Sequence, residues 1–212
     1  MAKPLVFEKP LGMRDTLPVL YETKATLRAK LAHFIQSWGY QFIETPTLEY
    51  YDTVGSASAM LEQHLFKLLD RQGKTLVLRP DMTAPIARVA GSSLKDVAYP
   101  LRLAYDSHLF QAQQHEGGRP AEYEQIGIEL IGDGTRSADA EVIALMIATI
   151  KEAGVENFKV AVGHVGFVNS LFRDIVGNDE RVEALRKYLY EKNYDVFVIL
   201  EYNRNHIHDI FY

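Results

Sequence analysis

Tyr123-Glu124-Gln125-Ile126-Gly127-Ile128-Glu129-Leu130-Ile131 alternates polar or small residues with Ile and Leu, and that period of two marks a β-strand. Ile126, Ile128 and Leu130 share one face and are expected to pack on a buried helix. Tyr123, Gln125, Gly127 and Glu129 share the other. A face carrying Glu129 is not a dry core, because a buried carboxylate needs a partner. It is either a solvated face or the floor of a pocket. Gly127 favours the pocket, since a glycine inside a strand often marks the close approach of a ligand.

Upstream, Leu101 to Ala112 reads as a second long strand, joined to the first by His115-Glu116-Gly117-Gly118-Arg119-Pro120. Leu65 to Leu69 and Thr75 to Leu78 form a hairpin around Asp70-Arg71-Gln72-Gly73. Tyr40 to Glu44 is a short strand closed by Pro46, a residue that belongs at an edge, kink or interface. Thr16-Leu17-Pro18 supplies an N-cap and an early proline for a helix to Trp38, stopped by Gly39. Its apolar stripe is Leu27, Leu31, Phe34, Ile35 and Trp38. Met82 to Ala90 is a short helix entered from Arg79-Pro80-Asp81. There, Asp81 and Thr83 either cap the helix or present a carboxylate and a hydroxyl to a ligand. Ala138 to Ala153 is a helix apolar around most of its circumference, hence deeply buried. Phe158 to Val162 reads as a strand, and Gly166 to Val176 and Asp179 to Asn193 as helices. Helix, adjacent strands, then helices make an α+β fold with a largely antiparallel sheet.

Composition removes several functions. No apolar run is long enough to span a membrane, and no signal-like core opens the chain, which points to the cytoplasm. The absence of cysteine excludes thiolate nucleophiles and Cys-based zinc sites. The charge of −5, from 23 basic and 28 acidic residues, argues against tRNA or DNA as the main partner. Gly132-x-Gly134-x-x-Ser137 imitates a dinucleotide fingerprint, but its third position is Ser and no acidic residue ends the next strand, so a tight turn is expected. His206-x-His208 lacks a third metal ligand nearby, and no metal or cofactor is assigned.

Three clusters carry a resemblance. Leu78-Arg79-Pro80-Asp81-Met82-Thr83 resembles the Leu-Arg-Pro-Glu-x-Thr segment of histidyl-tRNA synthetases. Phe110 to Glu129 resembles their class II motif 2, including Gln125-x-Gly127-x-Glu129, and Tyr40 to Pro46 resembles motif 1 with its interface proline. Gly12-Met13-Arg14-Asp15 and Gly117 to Gln125 are closer still to the synthetase-like regulatory subunits of ATP phosphoribosyltransferase. The resemblance covers about residues 5 to 194. It implies a class II synthetase-like antiparallel sheet flanked by helices, with residues 1–194 a partial core lacking its C-terminal part and 195–212 an atypical tail, truncated or frame-shifted.

It also implies roles. Asp81, Thr83 and Gln125 would hold the α-ammonium of histidine, and Glu129 would accept a hydrogen bond from the imidazole. Pro46 would lie at a homodimer interface. Where a synthetase has the arginine that grips the ATP α-phosphate, this chain has Gln111, and Gln113 and Gln114 replace further charged loop residues. An amide does not replace a bidentate guanidinium, and losing such a contact costs about 3 kcal/mol of transition-state stabilisation. Gln111 and Arg119 remain candidate ligand or phosphate contacts. The implied protein is a non-catalytic subunit that binds histidine and the catalytic subunit of a short-form ATP phosphoribosyltransferase within a hetero-oligomer. The alternative is a histidyl-tRNA synthetase or related adenylating enzyme.

Overall fold

The computed structural model describes residues 7–55, 57, 62–112 and 120–190. The calls on Gln113, Gln114, Arg119, the 195–212 tail and its His206-x-His208 pair lie outside the described residues. The chain divides into two compact units, residues 1–158 and 159–212.

The first unit opens with helix α1 (Pro18–Ser37). Pro18 sits in the first turn, where its missing N–H would be unpaired in any case. The N-cap is Leu17 rather than the expected Thr16, and no side chain caps the helix. Gly39 follows with φ +86°, a left-handed conformation that favours glycine and ends the helix. Leu31 and Ile35 are buried, whereas Leu27 and Trp38 lie at the exposed edge of the predicted stripe.

The strands are β1 (Gln41–Phe42), β2 (Leu48–Tyr50), β3 (Lys67–Leu69), β4 (Thr75–Leu78), β5 (Leu101–Phe110) and β6 (Glu122–Ile131). They form two three-stranded sheets, β1-β5-β6 and β2-β4-β3. All ladders are antiparallel except that of β1, which runs parallel to β5. The β3–β4 hairpin turns as expected: the Asp70 carboxylate accepts from the amides of Gln72 and Lys74, and Gly73 has φ +80°.

β5 and β6 pair along their whole lengths, from Leu101 opposite Ile131 to Phe110 opposite Glu122. That register sorts both strands into two faces. On one, Ile126, Ile128 and Ala104 pack with Ile35 of α1 and with Leu145 of helix α3 (Arg136–Glu152). Ion pairs secure the same face: Arg28 to Asp106 at 2.7 Å, Lys24 to Glu124 at 2.8 Å, and Arg102 to Glu141 at 2.8 Å. On the other face Leu101, Leu103, Tyr105 and Leu109 pack with Met82 and with Ile86 and Ala90 of helix α2 (Thr83–Gly91). The 132–134 segment is a turn that leads into α3, as expected, and the Thr135 side chain caps that helix. α3 itself is less buried than its composition predicts. Only Ala138 and Leu145 are fully covered, and Met146 is 41% exposed.

In the second unit, α4 (Val165–Val176) and α5 (Asp179–Tyr190) pack through Phe172, Val182 and Leu185. His164 caps α4 by accepting from the amide of Phe167 at 3.2 Å. The strand expected at 158–162 is absent: these residues make no ladder, and Val160 and Val162 are exposed. Alternating apolar character makes a strand only where a neighbouring strand can pair with it.

Candidate ligand-binding site

Five of the residues singled out by sequence lie around one face of the β5–β6 ribbon. Gln125, Gly127 and Glu129 alternate along β6 on the side that carries α2. Thr83 begins α2, and its Oγ1 donates to Glu129 Oε1 at 2.8 Å, across 46 residues of sequence. The Asp81 carboxylate accepts from the Ala84 amide at 3.1 Å, so it serves the first turn of α2 and also faces the site. The capping reading of this junction holds for Asp81, which binds the helix start, while Thr83 reaches the opposite strand. Gln125 is exposed, opposite the buried Ser107.

The electrostatics of this space are negative. Burial pushes the Glu129 carboxyl above the ordinary carboxylate range; the Thr83 hydrogen bond opposes that, and the charge of Asp81 adds to it. Burial also raises the Tyr105 phenol to about 12, helped by the charges of Glu129 and Asp81. Tyr123 is raised by burial and by Asp81. Among the described residues, no basic group acts on Glu129, Tyr105 or Tyr123. A partly desolvated pair of carboxylates of this type suits a group that brings positive charge and N–H donors.

Gln111, just past the end of β5, donates from Nε2 to the Tyr123 hydroxyl at 2.6 Å. The Gln111 amide is thus tied to Tyr123. Its backbone N–H donates to the Ala121 carbonyl at 2.8 Å, which closes the ribbon below the loop. Pro46 is exposed, in the segment between β1 and β2.

Two further residues were not singled out by sequence. Tyr105 lies opposite Gly127, and a Cβ built on Gly127 would fall 2.4 Å from the phenol carbon and oxygen. The space that Gly127 leaves open is therefore taken by a side chain of this protein. Counting pairs back from the loop, with Phe110 opposite Glu122, would have found it. Arg79 is buried, with Nη1 donating to the Thr45 carbonyl at 2.7 Å and Nε to the His108 carbonyl at 2.9 Å. Desolvation lowers its pKa, opposed by Glu44 and Glu49. It fixes the entry to α2 against both the Thr45–Pro46 segment and the end of β5.

A second cleft, of about 560 Å3, lies on the opposite face of the ribbon. Its Lys24 and Arg28 already pair with Glu124 and Asp106, so this cleft is the wall between α1 and the sheet.

Comparison with known proteins bears on the family and the fold. The sequence model of the family described as histidyl-tRNA synthetase matches residues 12–207. A protein of Halalkalibacterium halodurans named ATP phosphoribosyltransferase regulatory subunit is 67% identical over 194 residues, covering 92% of this chain and 49% of that protein. The Bacillus subtilis protein of the same name is 64% identical over 189 residues, covering 89% and 48%. The chain thus spans about half the length of the curated relatives it matches. Among solved structures, one described as an ATP phosphoribosyltransferase regulatory subunit/histidyl-tRNA synthetase from Bacillus halodurans superposes with TM-score 0.86 at 64% identity, over 93% of this chain and 51% of that one. A histidine–tRNA ligase subunit from Alicyclobacillus acidocaldarius gives 0.76 at 28%, over 94% and 57%. The α+β class II synthetase-like fold is thereby shared along most of the chain. The chain belongs to the histidyl-tRNA synthetase family, and within that family it is similar to proteins named as regulatory subunits of ATP phosphoribosyltransferase.

Proposed function

We propose that this chain binds histidine without activating it and serves as a regulatory subunit of ATP phosphoribosyltransferase, in complex with the short-form catalytic subunit. The observation that carries the reading is the acidic face shared by Asp81 and Glu129, bridged to α2 by Thr83, with no basic group among the described residues acting on Glu129. An α-ammonium meets acceptors at Asp81, Thr83 and Gln125, while an imidazole N–H meets Glu129. Gln111 supports the non-catalytic half of the reading. A triphosphate next to two carboxylates needs a cation, and this position holds a neutral amide committed to Tyr123. Feedback control follows if histidine binds two states of the assembly unequally, because a ligand shifts an equilibrium only by its differential affinity. Residues 1–194 then belong to a partial synthetase-like core, Pro46 contributes to a homodimer contact, and the assembly is cytoplasmic.

Three measurements test this function, and the second and third separate it from an adenylating enzyme. Calorimetry is expected to show histidine binding, and the pyrophosphate-exchange assay with histidine and ATP is expected to show no turnover. Mixing with a short-form catalytic subunit is expected to give a complex whose phosphoribosyltransferase activity falls as histidine is added. Clear histidine-dependent exchange would refute the regulatory reading.

A further inference from the structure

Pro10 to Met13 form a turn, closed by the Met13 amide donating to the Pro10 carbonyl at 3.0 Å. Within it Gly12 has φ +78°, a left-handed backbone that favours glycine. Its carbonyl accepts from the amide of the buried Ala121 at 2.8 Å. A Cβ on Gly12 would stand 2.7 Å from the Ala121 Cβ and 2.8 Å from the Ala121 nitrogen. Glycine is thus required twice, by the backbone angle and by the approach to Ala121. From Ala121 the contacts run on toward the acidic face. The Ala121 carbonyl accepts from the Gln111 amide at 2.8 Å, and the flanking amides of Phe110 and Ala112 donate to the carbonyls of Arg79 and His64. The Gln111 backbone is therefore held on both sides, and its Nε2 donates to the Tyr123 hydroxyl at 2.6 Å. Tyr123 in turn packs on the cluster of Met82, Tyr105 and Leu109, and the charge of Asp81 acts on its phenol.

A segment that served stability alone would bury apolar surface. This one leaves Phe7 95% and Leu11 82% exposed, so it adds little core. What it does supply is the acceptor for a buried backbone N–H, at the point where the end of β5 is tied to the start of β6. A hydroxyl has one proton to place and two lone pairs, and a donor at a fixed point orients it. Gln111 is that donor for Tyr123, and it is fixed only as well as its own backbone is.

We propose that Gly12 is a positioning residue of the ligand site: docked on Ala121, it fixes Gln111 and, through Gln111, the Tyr123 hydroxyl at the edge of the acidic face. The proposal rests on the histidine reading above. It gives the turn ahead of α1 a part in binding without any contact with the ligand.

The test is a double-mutant cycle read by calorimetry with histidine, on the unaltered chain, Gly12→Ala, Gln111→Ala and the two combined. Gly12→Ala drives a Cβ against Ala121 and is expected to weaken histidine about five- to tenfold, the value of one neutral hydrogen bond. Gln111→Ala should lose at least as much. Adding Gly12→Ala to it should then cost no further affinity, because the two residues act in series. A merely structural Gly12 would instead multiply the two losses. Urea denaturation establishes that each variant is folded under the conditions of the titration. Should Gly12→Ala not fold, Gly12→Asn takes its place in the cycle, since asparagine tolerates the left-handed backbone and leaves only the contact with Ala121. If the unaltered chain binds no histidine, the histidine reading itself fails and takes the proposal with it. If it binds histidine and the Gly12 variant binds just as tightly, or if the losses multiply in the combined variant, only the role given to Gly12 is overturned.

Discussion

Glu129 is stabilised as an acid by its burial and by the charge of Asp81, against the pull of the Thr83 hydroxyl. Its folded-state pKa lies above its unfolded value, so the folded chain holds this proton more tightly than the unfolded one. The stability that follows is fully present below the ordinary glutamate value and is lost as pH rises through the raised one. Ionisation of this side chain is thus a liability to the fold. Glu129→Gln, neutral at every pH, should raise the urea midpoint at pH 7.5, with the advantage shrinking toward pH 4. The same variant should bind histidine roughly ten- to hundredfold more weakly, the value of a hydrogen bond to a charged group. Equal midpoints at pH 7.5 would show that Glu129 is not strained by its surroundings. At this scale the sequence reading singled out Asp81, Thr83, Gln125 and Glu129 because polar residues alternating along a strand face or standing at a helix entry demand an explanation. Tyr105 escaped it because an aromatic residue in an apolar strand reads as core until the cross-strand partner is known.

Arg79 ties two elements that no local pattern links. Its guanidinium reaches the carbonyls of Thr45 and His108, its backbone N–H donates to Thr47, and its carbonyl accepts from Phe110. The segment that ends in Asp81 and Thr83 is thereby held against the Pro46 segment and against the end of β5, next to Gln111. Arg79→Met fills similar space but leaves two carbonyls without their donor, at about 1–3 kcal/mol each. Chemical denaturation should therefore show a loss of about 2–5 kcal/mol. Arg79→Lys should recover part of it, since one ammonium does not match the two-pronged geometry. A Met variant as stable as the parent would mean that both carbonyls find other donors. Elements with strict alternation or turn chemistry, namely β5, β6 and the β3–β4 hairpin, were legible in the sequence. The 158–162 segment has the same alternation and forms no strand, because pairing is a property of two segments and the pattern describes one. For α3 the apolar residues were counted correctly. Their burial was not, since it depends on how much protein lies on each side of the helix.

At the scale of the whole molecule, the distribution of the site between the two units carries a prediction of its own. Asp81, Thr83, Tyr105, Gln125 and Glu129 all fall within residues 1–158, on β5, β6 and the entry to α2. None comes from α4 or α5. The chain also spans about half the length of its curated relatives, so the 212 residues test whether this half holds ligand by itself. A ligand that binds only the folded state stabilises it by RT ln(1 + [L]/Kd), about 2.7 kcal/mol at a hundredfold excess over Kd. That free energy appears first in the amides whose opening breaks the site. Hydrogen exchange followed by mass spectrometry, with and without saturating histidine, should therefore show slowed exchange in peptides covering 81–91, 101–110 and 122–131. Peptides from α4 and α5 provide the internal reference. Protection confined to the first set places a self-sufficient site in residues 1–158. Exchange unchanged everywhere at millimolar histidine would mean that the face of β5 and β6 does not hold the ligand in this chain. In that case the acidic pair at Asp81 and Glu129 would need groups from the other half of the longer relatives.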